Sequence, residues 1–173
     1  MPGLRGAPFV IRGWSQQRYV MVAHVVLATI GTFLIGDERR SEAGGILIGS
    51  YRGSHVEVVG CTVPMPLDLR SRYCFDRRDP GHQAAALKAW HASGRTETFV
   101  GEWHTHPEPH PTPSGRDRQT WADIMKKNSN PLVFLIGGWE SFWWGVGERG
   151  LVVEAVPLDS EPSAFLAAVG SLP

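Results

Sequence analysis

Cysteine is nearly missing: Cys61 and Cys74 are the only two in 173 residues. Their spacing fits neither a disulfide framework nor a zinc knuckle, so small buried thiols in a reducing, cytoplasmic compartment are expected. Net charge is missing too. Lys plus Arg number 17 and so do Asp plus Glu, which leaves no basic field to draw in nucleic acid and makes a DNA-repair role unattractive. There is no internal repeat, low-complexity tract or interdomain linker. A single domain over 19–173, behind a loose lead-in at 1–18, is the expectation at this length.

Long apolar runs are scarce as well. The one to weigh is Tyr19 to Gly36, nearly uncharged and preceded by Arg5, Arg12 and Arg18, the order of a signal peptide or membrane helix. His24, Thr29, Gly31 and Thr32 interrupt it, no small-residue cleavage site follows, and Val26, Ile30, Phe33 and Leu34 recur with helical spacing. That pattern favours a short strand at Tyr19–Ala23 and a buried helix over His24–Ile35, with no membrane partner.

Further along, Gly36 to Ser41 reads as a polar turn. Gly45–Gly49 and His55–Val63 read as a β-hairpin turning at Gly53. Pro64–Pro80 has charges of both signs and no period, and reads as a long loop, a rim able to grip an extended chain. Gln83–His91 is Ala-rich and helical, with Leu87 and Trp90 at i, i+3 and a stop at Gly94. A helix is expected over Thr112–Lys127, then strands at Leu132–Ile136, Phe142–Val146 and Leu151–Val156 and a short helix at Ser163–Val169. Trp139, Trp143 and Trp144 fit a hairpin packed into the sheet.

What is present in strength is Glu102-Trp103-His104-Thr105-His106-Pro107, followed by Ser114-Gly115-Arg116-Asp117. Phe99–His106 is rich in aromatic and β-branched residues and stops at Pro107, so it reads as a strand. Residues two apart on a strand share a face, which puts the imidazoles of His104 and His106 side by side. Thr112-Pro113-Ser114 is a helix start, and Asp117 in its opening turns is aimed back towards them. Ser114-x-x-Asp117 is by itself an ordinary capping box. With both histidines it makes a three-ligand zinc set that leaves a fourth position for water, the mark of a catalytic rather than a structural ion. Such a site needs a base. Glu42 stands at the mouth of the first hairpin, and Glu102 shares the face of the histidines, where it could instead orient an imidazole. Spacing alone leaves both open. His24, His55, His82 and His91 have no partner at ligand spacing and read as surface or core residues, while His110 reads as an exposed loop histidine whose place beside the metal motif leaves a substrate contact open.

Glu42 with Gly44-Gly45-Ile46-Leu47-Ile48-Gly49, then His104-Thr105-His106-Pro107, then Ser114 and Asp117, resembles the JAMM (MPN+) family of zinc metallopeptidases, with Thr105 in place of a frequent serine. The resemblance implies an α+β, cytidine-deaminase-like architecture: a curved, mostly antiparallel sheet flanked by helices. It also implies Zn²⁺ on His104, His106 and Asp117, Glu42 as acid/base and Ser114 as oxyanion stabiliser. Gly101 to Glu108 and the Ser71–Gln83 segment look like a bacterial branch found in integrative elements and antiphage operons such as CBASS. Implied partners are a ubiquitin-like protein or its conjugate and homologues of activating and conjugating enzymes. An isopeptidase, a peptidase trimming a sulfur-carrier precursor and a non-catalytic MPN scaffold are the functions this allows.

Overall fold

The glycine-bounded run at 44–49 is the centre of the sheet. In the computed structural model, which describes residues 9–12, 19–34 and 40–157, it forms β3 (Gly44–Arg52), paired antiparallel with β4 (His55–Cys61) through a turn at Gly53, whose φ is +62°. On its other side β3 pairs antiparallel with β7 (Thr98–Thr105), placing Gly44 opposite His104. The order continues through β8 (Leu132–Gly137), parallel to β7, then β9 (Phe142–Glu148) and β10 (Leu151–Pro157). On the far side of β4 lies β2 (Tyr19–Val22), again parallel.

The sheet does not stay open. Within the stretch expected as a loose lead-in, Phe9–Arg12 is a strand, β1, that pairs with both β10 and β2 and closes eight strands into a barrel. Three of its four residues, Phe-Val-Ile, are strong strand formers, a run short enough to be hidden among the surrounding Gly, Pro and Arg. With six antiparallel and two parallel pairings, the expected curved, mostly antiparallel α+β architecture is present.

Trp103, Val100, Val133, Leu135, Trp144 and Val146 form one core cluster, and α1 (His24–Gly31) adds Val26, Leu27 and Ile30 to it. This helix ends four residues before the expected Ile35, and no helix among the described residues is long and apolar enough to cross a membrane. A second cluster sits under α3 (Gly115–Lys126), where Trp121 stacks on Phe134 and Trp143. Such stacked aromatic contacts add to the area they bury and fix the helix on the outer face of β8 and β9.

Two expectations need correction. In α2 (Gly81–Ala92) the buried side chain is His82, while Leu87 is 52% exposed and Trp90 36%. The helix is held by polar groups rather than by an apolar stripe. His82 Nε2 meets Asp68 Oδ2 at 2.9 Å and Nδ1 meets Thr62 Oγ1 at 2.6 Å. The Ile46 amide donates to Thr62 Oγ1, so the hydroxyl proton is left to donate to Nδ1 and Nε2–H donates to Asp68. The Pro64–Pro80 stretch, in turn, is not without structure. It holds a small hairpin, β5 (Leu69–Ser71) and β6 (Cys74–Asp76). No period betrays it because each strand is three residues long and packs neither face fully. Its glue is Asp68, which accepts from the amides of Met65, Arg78 and Asp79. The polar turn expected at Gly36–Ser41 lies mostly, and the helix at Ser163–Val169 wholly, outside the described residues.

Candidate metal centre

Asp117 comes from α3, His106 from just past β7 and His104 from β7 itself. The register of β7 on β3 carries a bulge between Leu47 and Ile48, opposite Val100 and Gly101. Gly101 has φ +153°, and a Cβ there would overlap the Val133 carbonyl, so only glycine fits. Beyond the bulge the strand sends Trp103 into the barrel, its indole N–H donating to the Thr62 carbonyl at 2.9 Å. Glu102, His104 and His106 face outward, into a cavity of about 450 Å³ between the β5–β6 hairpin and α3.

Ser114 is the N-cap of α3. Its hydroxyl accepts from the Asp117 amide, and Asp117 Oδ2 accepts from the Ser114 amide at 2.7 Å. The expected capping box and the expected ligand are therefore one arrangement. The box fixes the carboxylate so that Oδ1 lies 3.2 Å from His104 Nε2 and Oδ2 lies 3.3 Å from His106 Nε2. The two imidazole nitrogens are 3.1 Å apart. Donors about 2.0–2.1 Å from a tetrahedral ion stand about 3.3–3.4 Å from one another, so these residues fit such an ion with little movement. They are the one His/Cys/Asp/Glu group among the described residues whose donor atoms converge in this way, all within 4.8 Å.

The imidazole partner foreseen from sequence is a different glutamate. Glu102 does not reach a histidine: its Oε1 accepts from Trp121 Nε1 at 3.0 Å, and its Oε2 meets Arg77 Nη2 at 3.5 Å. His106 Nδ1 is held instead by Glu108 Oε1 at 3.0 Å. Because a carboxylate only accepts, Nδ1 carries a proton, which leaves Nε2, here turned to Asp117, as the nitrogen that would offer its lone pair to an ion. Pro107 turns the chain so that Glu108 doubles back, and an acid two residues past the second histidine was the available clue.

Glu42 and Ser114 line the same cavity. Glu42 is 7% exposed, and burial pushes its carboxyl up to about 7 against the lowering pull of His104 and His106. Burial also works against ionised Asp117, but hydrogen bonds from His104 and His106 hold its carboxyl well below the usual range. For His106, burial favours the neutral ring, and the bonds to Asp117 and Glu108 outweigh it and raise its affinity for a proton. The site is thus built for a positive charge, with a proton-exchanging carboxyl beside it.

Thr105, between the histidines, ties the Glu42 segment to β7. Its Oγ1 accepts from the Ala43 amide at 2.9 Å and its amide donates to the Ala43 carbonyl at 2.8 Å. His110 is exposed, paired loosely with Glu140 and Ser141 away from the cluster.

This fold and this donor set define a JAB-domain hydrolase. The family of prokaryotic homologues of the JAB domain matches residues 36–146, and the chain belongs to it. Among its relatives is the CD-NTase/cGAS isopeptidase of Pseudomonas aeruginosa, 37% identical over 157 residues, 88% of this chain and 94% of that protein. The Vibrio cholerae protein of the same name is 37% identical over 119 residues, 69% of this chain and 76% of that one. A solution structure of a Desulfitobacterium hafniense protein shares the fold, with a TM-score of 0.56 at 19% identity over 78% of this chain and 88% of that one.

Proposed function

We propose that the protein is a zinc-dependent isopeptidase that releases a protein modifier, ubiquitin-like or a CD-NTase, from the lysine amide of a conjugate, in the cytoplasm of a bacterium defending against phage. The observation that carries this reading is the convergence of His104, His106 and Asp117 beside a buried, protonatable Glu42 in one open cavity. The names of the Pseudomonas and Vibrio relatives support the substrate class.

A zinc ion held by these three side chains supplies Lewis acidity and a water that ionises near neutrality. Glu42 takes a proton from the attacking water and returns it to the departing lysine nitrogen, a task suited to a buried carboxyl that lines the same cavity. Ser114 donates its hydroxyl to Asp117 Oδ2 at 2.6 Å in the resting site. Turned into the cavity, the same hydroxyl donates to the oxygen that gains charge as the carbonyl is attacked. Glu108 keeps His106 in the ligating tautomer, and Asp117 neutralises part of the ion's charge. The β5–β6 hairpin forms the cavity wall with Tyr73 and Phe75, and the outer edge of β6, which has no strand partner among the described residues, is where an extended modifier tail would add.

The test is a conjugate in which a CD-NTase is joined through its C-terminal carboxyl to a lysine side chain. The zinc-loaded protein is expected to release it. Glu42→Ala is expected to keep the metal and lose turnover. Failure of the wild-type, metal-replete protein to cut such a conjugate, or one made with a ubiquitin-like modifier, overturns the reading.

A further inference from the structure

Residues 41–43 belong to no helix or strand, and β3 begins only at Gly44. Nothing in regular secondary structure therefore fixes the backbone of Glu42, although an acid/base must be held to a fraction of an ångström. Thr105 secures Ala43 on one side. On the other side the contacts all come from β5 of the rim hairpin. The Glu42 amide donates to the Ser71 carbonyl at 2.8 Å. Arg70 Nε donates to the Glu42 carbonyl at 2.7 Å, and its Nη2 reaches the Ser41 carbonyl at 3.4 Å. One guanidinium thus spans two consecutive carbonyls, a use of its planar fork that a lysine cannot copy.

The hairpin itself is anchored on both flanks. Asp68 closes its base through three amides. Phe75 lies so close over Gly44 that a Cβ there would collide with its ring. Arg77, just past β6, reaches Glu102 on β7. Arg70, by contrast, is not among the residues that line the cavity, and its side chain points its donors at main chain rather than at substrate space.

We infer that Arg70 is a positioning residue for Glu42, and that through it the rim hairpin sets the acid/base of the site as well as walling the cavity. This rests on the reading of Glu42 as acid/base. His104, His106 and Asp117 lie on β7, just past its end and on α3, none of which Arg70 touches in these bonds. Its loss therefore weakens the chemical step while leaving metal and substrate binding in place.

The experiment compares full-length wild type, Arg70→Lys and Arg70→Ala, each loaded with zinc, on the conjugate described above. For Arg70→Ala kcat is expected to fall by up to about 100-fold, the scale of an ångström's misplacement of a catalytic group, with KM and zinc affinity nearly unchanged. Arg70→Lys, able to serve one carbonyl, is expected to fall in between. Hydrogen exchange on the same proteins is expected to show faster exchange of the 41–43 amides in Arg70→Ala, with β8 and β9 unchanged. Unchanged kcat, or a zinc affinity that falls in step with kcat, overturns the inference. Unchanged exchange at 41–43 does so too, whether or not the conjugate is a substrate. A wild type inactive on the conjugate overturns the isopeptidase reading, and the exchange comparison then decides the role of Arg70 alone.

Discussion

Glu108 Oε1 sits 3.0 Å from His106 Nδ1 and 3.2 Å from the Thr112 amide, so one carboxylate holds both an imidazole of the His104–His106–Asp117 cluster and the loop that leads into α3. Removing it frees the ring to flip or change tautomer. Glu108→Ala is therefore expected to weaken zinc binding by about 10–100-fold. Glu108→Gln, whose amide oxygen still accepts from Nδ1–H, should recover most of it. Competition against a chromophoric chelator measures both. Equal affinity in Glu108→Ala and wild type would show that the imidazole is fixed by something else.

Glu102 stands on the histidine face but is committed elsewhere, to Trp121 Nε1 and Arg77. Its role is to bolt α3, and with it Asp117, against β7. Glu102→Gln keeps an acceptor for the indole and is expected to retain turnover. Glu102→Ala leaves a buried indole N–H without a partner and should lower unfolding free energy by about 1–3 kcal/mol, read from urea denaturation. Loss of turnover in a stably folded Glu102→Gln would return it to candidacy as the base.

The clustering of His104, His106 and Asp117 was legible because its cues are local. A two-residue repeat on a strand and a capping sequence one loop later depend on neighbours along the chain, and the structure brings the three side chains to 3.1–3.3 Å. The same holds for β3, β4 and α3, whose apolar runs and caps lie in sequence. What escaped depends on partners far away. The partner of Glu102 is set by the side on which α3 lands, and the clamp on Glu42 by a hairpin 28 residues downstream at Arg70. That hairpin shows no alternation because a buried aspartate, not an apolar face, holds it. β1 is four residues long, and its place between β10 and β2 is fixed only when the barrel closes.

Thr105 is expected to matter through its hydroxyl rather than its size. Ala43 is 1% exposed, so its amide has no water to turn to if Thr105 Oγ1 is lost. Thr105→Val, close in shape, should cost about 1–3 kcal/mol of stability and lower kcat by loosening the segment that carries Glu42, with zinc affinity little changed. Thr105→Ser keeps the acceptor and should behave as wild type. Thermal melts and steady-state kinetics on the three proteins check this, and a Thr105→Val indistinguishable from wild type would remove the hydroxyl from the account.

Asp68 predicts how the fold responds to acid. Its side chain is 0% exposed. Burial favours the protonated carboxyl, but bonds from the Asp79 and Met65 amides, from His82 and from the Arg78 amide outweigh it and bring the pKa from 3.8 down to about 2. The unfolded chain therefore binds this proton more readily than the folded one. Stability from Asp68 is complete above about pH 4 and is lost as the pH falls through about 2. The difference amounts to about 2 kcal/mol. Asp68→Asn removes the titration along with the charge, so wild type should exceed the variant most at neutral pH, with the gap closing between about pH 4 and 2. Urea midpoints across that range, taken without metal so that acid-driven metal release does not enter, measure the gap, the other titrations being common to both proteins. This carboxylate closes the base of the rim hairpin, so the acid limb should also coincide with loss of protection at Arg78 and Asp79, whose amides it holds. A gap that stays constant down to about pH 2 would mean that the three amides and His82 are not what depresses Asp68.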